Sequence, residues 1–260
     1  MIQVEIINKE EVSNLFKNWG VTSSTCYNTP EKYAEKVGQS CNESGHYSGS
    51  RTEYIKFKIT GVDRGSAEQL FRHELGTRTE EFESAISIDP TMIVKNMKSF
   101  RYVDMSKQFD YTIPGVIRSS DRATAKFNEA METIRLNMLE IKDILDEEFP
   151  NANDKMKLEA SQFLLPRATN TSAVVGFTLE ALTHYFHKRL CTRTQPEHRE
   201  LAKLMREKVL EILPQFEDKF VAHCEHLLWC PESVKMCCGK FPTRDKLIER
   251  LKGDGNNEPN

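Results

Sequence analysis

The sequence predicts an α+β fold, an antiparallel sheet accompanied by more helix than strand, and three observations carry that prediction. Tyr54-Ile55-Lys56-Phe57-Lys58-Ile59 alternates apolar and basic residues, which puts Ile55, Phe57 and Ile59 on one face of a half-buried strand. From Ser120 to about Phe149, apolar residues recur at helical spacing as Phe127, Met131, Ile134, Met138, Ile141 and Leu145. Two more helical stretches follow at 178–190 and 196–213.

Taken in order, residues 1–60 read as short alternating runs and loops, with the 54–59 strand the clearest element. One buried face and one basic face suit an antiparallel sheet. Gly61 is expected to end that strand, and a helix is expected from Ser66 to His73 with Ser66 as its N-cap. Pro150-Asn151-Ala152-Asn153-Asp154 is a loop after the long helix, and Lys155 to Leu165 is a shorter helix stopped by Pro166. Pro196 suits the first turn of its helix. Residues 253–260 are a polar, frayed tail behind a single domain, 1–252. The chain carries neither internal repeats nor low-complexity blocks.

The 260 residues hold 36 Lys plus Arg against 39 Asp plus Glu, a net charge of −3, and so lack the basic excess of a bulk nucleic-acid binder. With 38% hydrophobic and 29% charged residues, the composition is that of a soluble globular protein. No stretch approaches the roughly 20 apolar residues that span a bilayer. Met1-Ile2-Gln3-Val4-Glu5 lacks a basic-then-apolar signal pattern, so no membrane association and a cytoplasmic location are expected. Seven cysteines, an odd number, are expected to be reduced thiols. The spacing from Cys224 through Cys230 to Cys237-Cys238 lacks the paired C-x2-C knuckles of structural zinc sites, and no metal is expected.

Three short basic clusters could carry chemistry. In Gln69-Leu70-Phe71-Arg72-His73, a guanidinium beside an imidazole could hold a phosphate; a solvated helix face is the competing reading. His184, His187 and Lys188 share a helix surface, and Arg189 and Gln195 together offer the directed donors and acceptor that a planar polar ligand needs. Gly45-His46-Tyr47-Ser48-Gly49-Ser50-Arg51 is a turn whose N–H groups could meet a phosphate, although it matches neither phosphate-binding glycine motif.

In that order the clusters resemble the flavin-dependent thymidylate synthases. Gly45-His46-x-Ser48, the strand, Gly61-Val62-x-Arg64 and Gln69 to His73 lead into a segment similar to the family signature R-H-R-x-x-S-x-N-E-x-S-x-R-Y. Here Arg72-His73-Glu74, Thr77, Thr79-Glu80 and Ser99-Phe100-Arg101-Tyr102 stand for it, interrupted by an insertion at about 81–98. A surface insertion costs little conformational free energy. Leu165-Pro166 and Leu182-Thr183-His184-Tyr185-Phe186-x-x-Arg189-Leu190-Cys191-x-Arg193-x-Gln195 form the strongest match, and the C-terminal cysteines resemble a further family feature.

The resemblance implies a sheet with a helical bundle, and a homotetramer whose active sites lie where subunits meet. It implies methyl transfer from methylenetetrahydrofolate to deoxyuridine monophosphate, with FAD as cofactor and NADPH as reductant. The implied partners are thus a pyrimidine deoxynucleotide and a folate. Ser48, Arg72, His73, Glu80, His184 and Gln195 would contact the flavin, and Gln69, Glu80, Ser99, Arg101, Gln162 and Arg189 the nucleotide. Arg189 would be catalytic, a fixed cation for charge developing on the pyrimidine. No nucleophilic cysteine is implied.

Departures cluster in the same places. Gln162 stands where the family aligns a phosphate-binding arginine, Thr178 and Glu180 where it has Asn and Arg, and Glu74 where it has a third basic residue. Losing a charge-assisted bond costs about 1.5–3 kcal/mol. Arg78, Arg167, Lys95 and Lys98 are candidate replacements. Another pyrimidine nucleotide, a hydroxymethylated product, or a non-catalytic homologue that binds flavin or nucleotide are the alternative readings.

Overall fold

The computed structural model describes residues 1–73, 93–233 and 235–254. Strand β1 (Gln3–Ile6) precedes helices α1 (Lys9–Ser13), α2 (Leu15–Tyr27) and α3 (Ala34–Glu43). Strand β2 (Ile55–Asp63), helix α4 (Arg64–Phe71) and strand β3 (Ile93–Met97) follow, then α5 (Gly115–Arg118), α6 (Asp121–Glu148) and α7 (Asp154–Ser161). The chain continues through β4 (Asn170–Phe177), α8 (Leu179–Arg189), α9 (Pro196–Leu210), α10 (His223–Leu227) and α11 (Arg244–Asp254). The strands form one antiparallel sheet in the order β1-β2-β4-β3, which gives the expected α+β class.

The described residues group into two compact units. The first comprises Met1–Val4, Lys58–Arg72 and Lys95–Val175; the second holds the described residues among Glu5–Phe57, His73–Val94 and Gly176–Asn260.

In the first unit the α6 stripe is core, as its spacing predicts. Met131 and Met138 pack with Met105, Phe109 and Leu165, and Phe127 and Ile134 lie against them. Ser120 caps α6 by accepting the Ala123 N–H at 3.3 Å, and Asn153 caps α7 by accepting from Lys155 N at 2.8 Å. Lys157, 6% exposed, reaches across from α7 to Asp146 of α6 at 2.8 Å. β2 runs past Gly61, where the strand was expected to stop. The cap of α4 is Asp63, whose carboxylate accepts the Ser66 N–H at 2.8 Å; Ser66 is therefore not the cap, and the helix stops at Phe71, short of His73. Met97 and Lys95, expected inside the insertion, belong to strand β3; residues 81–92 lie outside the described residues.

The second unit corrects the reading of residues 1–60. Residues 9–13, 15–27 and 34–43 are helical, although Asn18, Thr22, Ser23, Ser24 and Thr25 are weak helix formers. Close approach explains why small residues stand there. A Cβ on Gly20 would lie 1.6 Å from the Ala34 carbonyl oxygen, and one on Gly38 would lie 2.0 Å from that of Phe16. Aromatic contacts then run from Trp19 and Phe16 through Phe216 and Phe220 to Phe186 and Tyr185. At the end of the chain, α11 takes up the first two positions of the expected tail, and 255–260 lie outside the described residues.

Candidate functional site

Helix α8 supplies most of the chemistry of the second unit. Thr178, 1% exposed, opens it by accepting the Ala181 N–H at 3.3 Å, so this departure from the family pattern serves as an N-cap. Its neighbour Glu180 receives Nε of Arg51 at 3.0 Å, which meets the anomalous negative charge with a cation from the turn at 47–52. Ser48 is exposed on that same turn. The last turn of α8 carries His187, Lys188 and Arg189 at the end where the helix dipole favours cations.

Arg189, half-buried, donates from Nε to Nε2 of His73 at 2.5 Å. The His73 ring stands edge-on to Tyr185, with centroids 5.0 Å apart and planes at 88°, and lies 6.4 Å from the His184 ring. Burial, followed by the charge of Arg189, pushes His73 down to about 3, so its imidazole is neutral and accepts at Nε2. Behind it, the fully buried Tyr185 hydroxyl meets Nε2 of His198 at 3.2 Å. His184 is exposed, and burial of its ring atoms and Lys188 lower its pKa. Gln195 stands at the N-cap position of α9 and donates to Glu197 at 3.1 Å.

The motif residues of the first unit have different surroundings. Gln69 is half-buried on α4, and Arg72 is exposed at its C-cap. Ser99 and Arg101 are exposed in one turn, closed by Tyr102 N–H to the Ser99 carbonyl at 3.3 Å, with the Arg101 guanidinium 5.6 Å over the Tyr102 ring. Gln162 departs from expectation. It is 5% exposed, donates to the Phe100 carbonyl at 2.7 Å and accepts the Met105 N–H at 2.6 Å, so its carboxamide holds the 100–105 backbone. Among the candidate replacement cations, Lys95 donates to the Phe71 carbonyl at 3.1 Å, and Arg167 is exposed beside Gly65. Glu74, Arg78 and Glu80 lie outside the described residues.

Residues 12–215 match the thymidylate synthase complementing protein family. A flavin-dependent thymidylate synthase of Nitratidesulfovibrio vulgaris is 32% identical over 205 residues, covering 79% of this chain and 76% of that one. The chain belongs to the flavin-dependent thymidylate synthase family.

Another family member, the flavin-dependent thymidylate synthase of Pyrococcus furiosus, is 27% identical over 247 residues, 91% of this chain and 89% of that one. The fold is also that of thymidylate synthase X from Helicobacter pylori, crystallised with FAD and dUMP: TM-score 0.50 at 17% identity, over 85% of this chain and 99% of that one. The family match takes in every marked position from Ser48 to Gln195 and stops short of the C-terminal cysteines.

Several neighbours of α8 have no counterpart in local sequence patterns. His223 and His226 of α10 stack on His187, with centroids 5.2 and 4.8 Å away, and burial together with these two rings pushes His187 down to about 4. Arg193 pairs with Glu232 at 2.7 Å. These partners lie tens of positions apart, beyond the reach of any helical or strand period. Among the described residues, no group of three or more His, Cys, Asp and Glu is arranged to hold a metal ion, and no helix is long and apolar enough to cross a membrane.

Proposed function

We propose that this protein is a flavin-dependent thymidylate synthase, transferring a one-carbon unit from methylenetetrahydrofolate to the pyrimidine ring of deoxyuridine monophosphate to give thymidylate. The observation that carries the reading is the joining of two motifs of the family match. His73 and Arg189, 116 positions apart, meet through a hydrogen bond, with His184 beside them.

The donor set fits a flavin dinucleotide, a planar and anionic molecule. It offers a half-buried guanidinium, two imidazoles with lowered pKa and the exposed Ser48 hydroxyl. Ser48, Arg72, His73, His184 and Gln195 are the proposed flavin contacts; Gln69, Ser99, Arg101 and Arg189 are the proposed nucleotide contacts. When bound, reduced FAD supplies the hydride, with NADPH as its reductant. Arg189 holds a fixed positive charge for the electron density that builds up on the pyrimidine, and its Nε bond to neutral His73 sets the direction of the guanidinium. Assembly as a homotetramer in the cytoplasm is part of the proposal.

The purified protein is expected to carry FAD and, given deoxyuridine monophosphate, methylenetetrahydrofolate and NADPH, to release thymidylate detectable by chromatography. A folded protein that retains no flavin and forms no thymidylate would overturn the proposal.

A further inference from the structure

Tyr185 of α8 and His198 of α9 are both fully buried, and the proposed reaction gives neither a ligand to hold. The Tyr185 hydroxyl lies 3.2 Å from Nε2 of His198. Such a pair is directional where an apolar contact is not, and removing one partner strands a buried polar atom on the other. Around the Tyr185 ring pack Phe177, Phe186 and His198, with centroids 5.4, 5.5 and 5.8 Å away. The His73 ring meets the Tyr185 ring perpendicularly at 5.0 Å and lies 6.5 Å from that of His198. His73 belongs to no helix or strand, so the orientation of its ring rests on these side-chain contacts.

We propose that Tyr185 and His198 are positioning residues for the proposed thymidylate synthesis: His198 holds the Tyr185 hydroxyl, the Tyr185 ring sets the plane of His73, and His73 aims the Arg189 guanidinium. The lone pair of an accepting imidazole nitrogen lies in the plane of its ring, and hydrogen bonds weaken steeply as they bend. Turning the His73 plane therefore swings Nε2 out of line with the Arg189 Nε–H and releases the guanidinium from its direction. A misdirected guanidinium still offers its charge to a bound nucleotide, whereas stabilising the transition state needs its aim, so the loss falls on kcat and spares KM. The effect on rate rests on the proposed reaction; the alignment of His73 and Arg189 does not.

The test compares Tyr185→Phe, His198→Leu and His198→Gln with the unsubstituted holoenzyme. Tyr185→Phe and His198→Leu are each expected to lower kcat about tenfold at unchanged KM for deoxyuridine monophosphate, as a catalytic group loses its alignment. His198→Gln, whose carboxamide can still reach the Tyr185 hydroxyl, should recover most of that loss. The double variant Tyr185→Phe/His198→Leu should be no slower than either single one, because both act through one bond. NMR of protein labelled with nitrogen-15 in arginine alone reads the alignment directly: the Arg189 Nε–H signal, protected from solvent exchange in the unsubstituted protein, should be lost in Tyr185→Phe and His198→Leu. A retained signal in either variant overturns the positioning, whatever happens to thermal stability. A lost signal with unchanged kcat overturns the role in the reaction. If one of the two variants fails to fold, the other decides. A protein that makes no thymidylate sinks the proposed reaction, and the NMR result on Arg189 still stands by itself.

Discussion

Arg189 donates its Nε–H to Nε2 of His73 over 2.5 Å, and this single bond sets the chemistry of both residues. An imidazole nitrogen that accepts cannot carry a proton, so the His73 ring proton sits on Nδ1. The guanidinium, held at Nε, keeps its Nη edge in one orientation.

Removing that edge is expected to abolish catalysis without unfolding the protein. Arg189→Ala should lower kcat about 10²- to 10³-fold, the usual loss for one aimed transition-state donor, with an unchanged thermal midpoint. Arg189→Lys should recover little, because an ammonium is a point charge without the planar fork. Steady-state kinetics beside calorimetry checks both, and an unaffected rate in Arg189→Ala rejects the assignment.

At His73 the acceptor, and not the charge, is what counts. His73→Gln keeps an acceptor and should retain more activity than His73→Leu. With its pKa at about 3, His73 should also show no imidazole titration by NMR between about pH 5 and 8. A midpoint near 6.5 would show that the bond to Arg189 is not maintained in solution.

The His187 stack makes stability depend on pH. Folded His187 titrates at about 4 against about 6.5 for an unperturbed imidazole, so between these values the unfolded chain binds more protons. Stability is therefore fully present above about pH 6.5, falls as the pH drops toward about 4, and levels off below that. His184 of α8 and His223 and His226 of α10 act on the ring and oppose its protonation, whereas a hydrogen bond to the Lys219 backbone favours it. Since the ring is partly solvated, the loss should be on the order of 1–2 kcal/mol. Urea titrations at several pH values measure it, and His187→Gln should flatten the profile.

Gln162 is held by backbone groups on both sides of its carboxamide. Gln162→Leu strands the Met105 N–H and the Phe100 carbonyl, at an expected cost of about 2–4 kcal/mol in urea unfolding. Gln162→Arg, which restores the residue type of the family, should also destabilise, because it places a charge where the structure leaves 5% exposure. Tighter nucleotide binding by Gln162→Arg at unchanged stability would refute the structural role.

Where period and cap agreed, the sequence was legible. The stripe of α6 and the start of α9 at Pro196 follow from spacing alone, and α8 begins one residue after its Thr178 cap. His73 and Arg189 could be picked out as motif members, yet the bond between them could not, since no local pattern links positions 116 apart. The fate of Gln162 was equally hidden, because a buried amide satisfied by backbone looks like any other glutamine in sequence. Helices α2 and α3 were illegible for a different reason: their Gly, Ser and Thr residues read as loop, while their value is steric and realised only when the helices meet.

That steric reading can be tested at Gly20. A methyl group there would sit 1.6 Å from the Ala34 carbonyl oxygen and 2.9 Å from the Ala34 Cα, backbone atoms that no rotamer change can move. Ordinary overpacking costs about 1–3 kcal/mol, and here the whole α2–α3 contact must part. Gly20→Ala should therefore lose about 3 kcal/mol or more, or fail to accumulate as soluble protein, even though alanine is the better helix former by about 1 kcal/mol. Gly45→Ala provides the contrast. That position has φ of +72° with nothing within 4 Å of a Cβ, so only left-handed backbone strain of about 1–2 kcal/mol is expected. Thermal midpoints of the two variants measured side by side decide the matter, and a Gly20→Ala protein as stable as Gly45→Ala would mean that α2 and α3 are not in backbone contact.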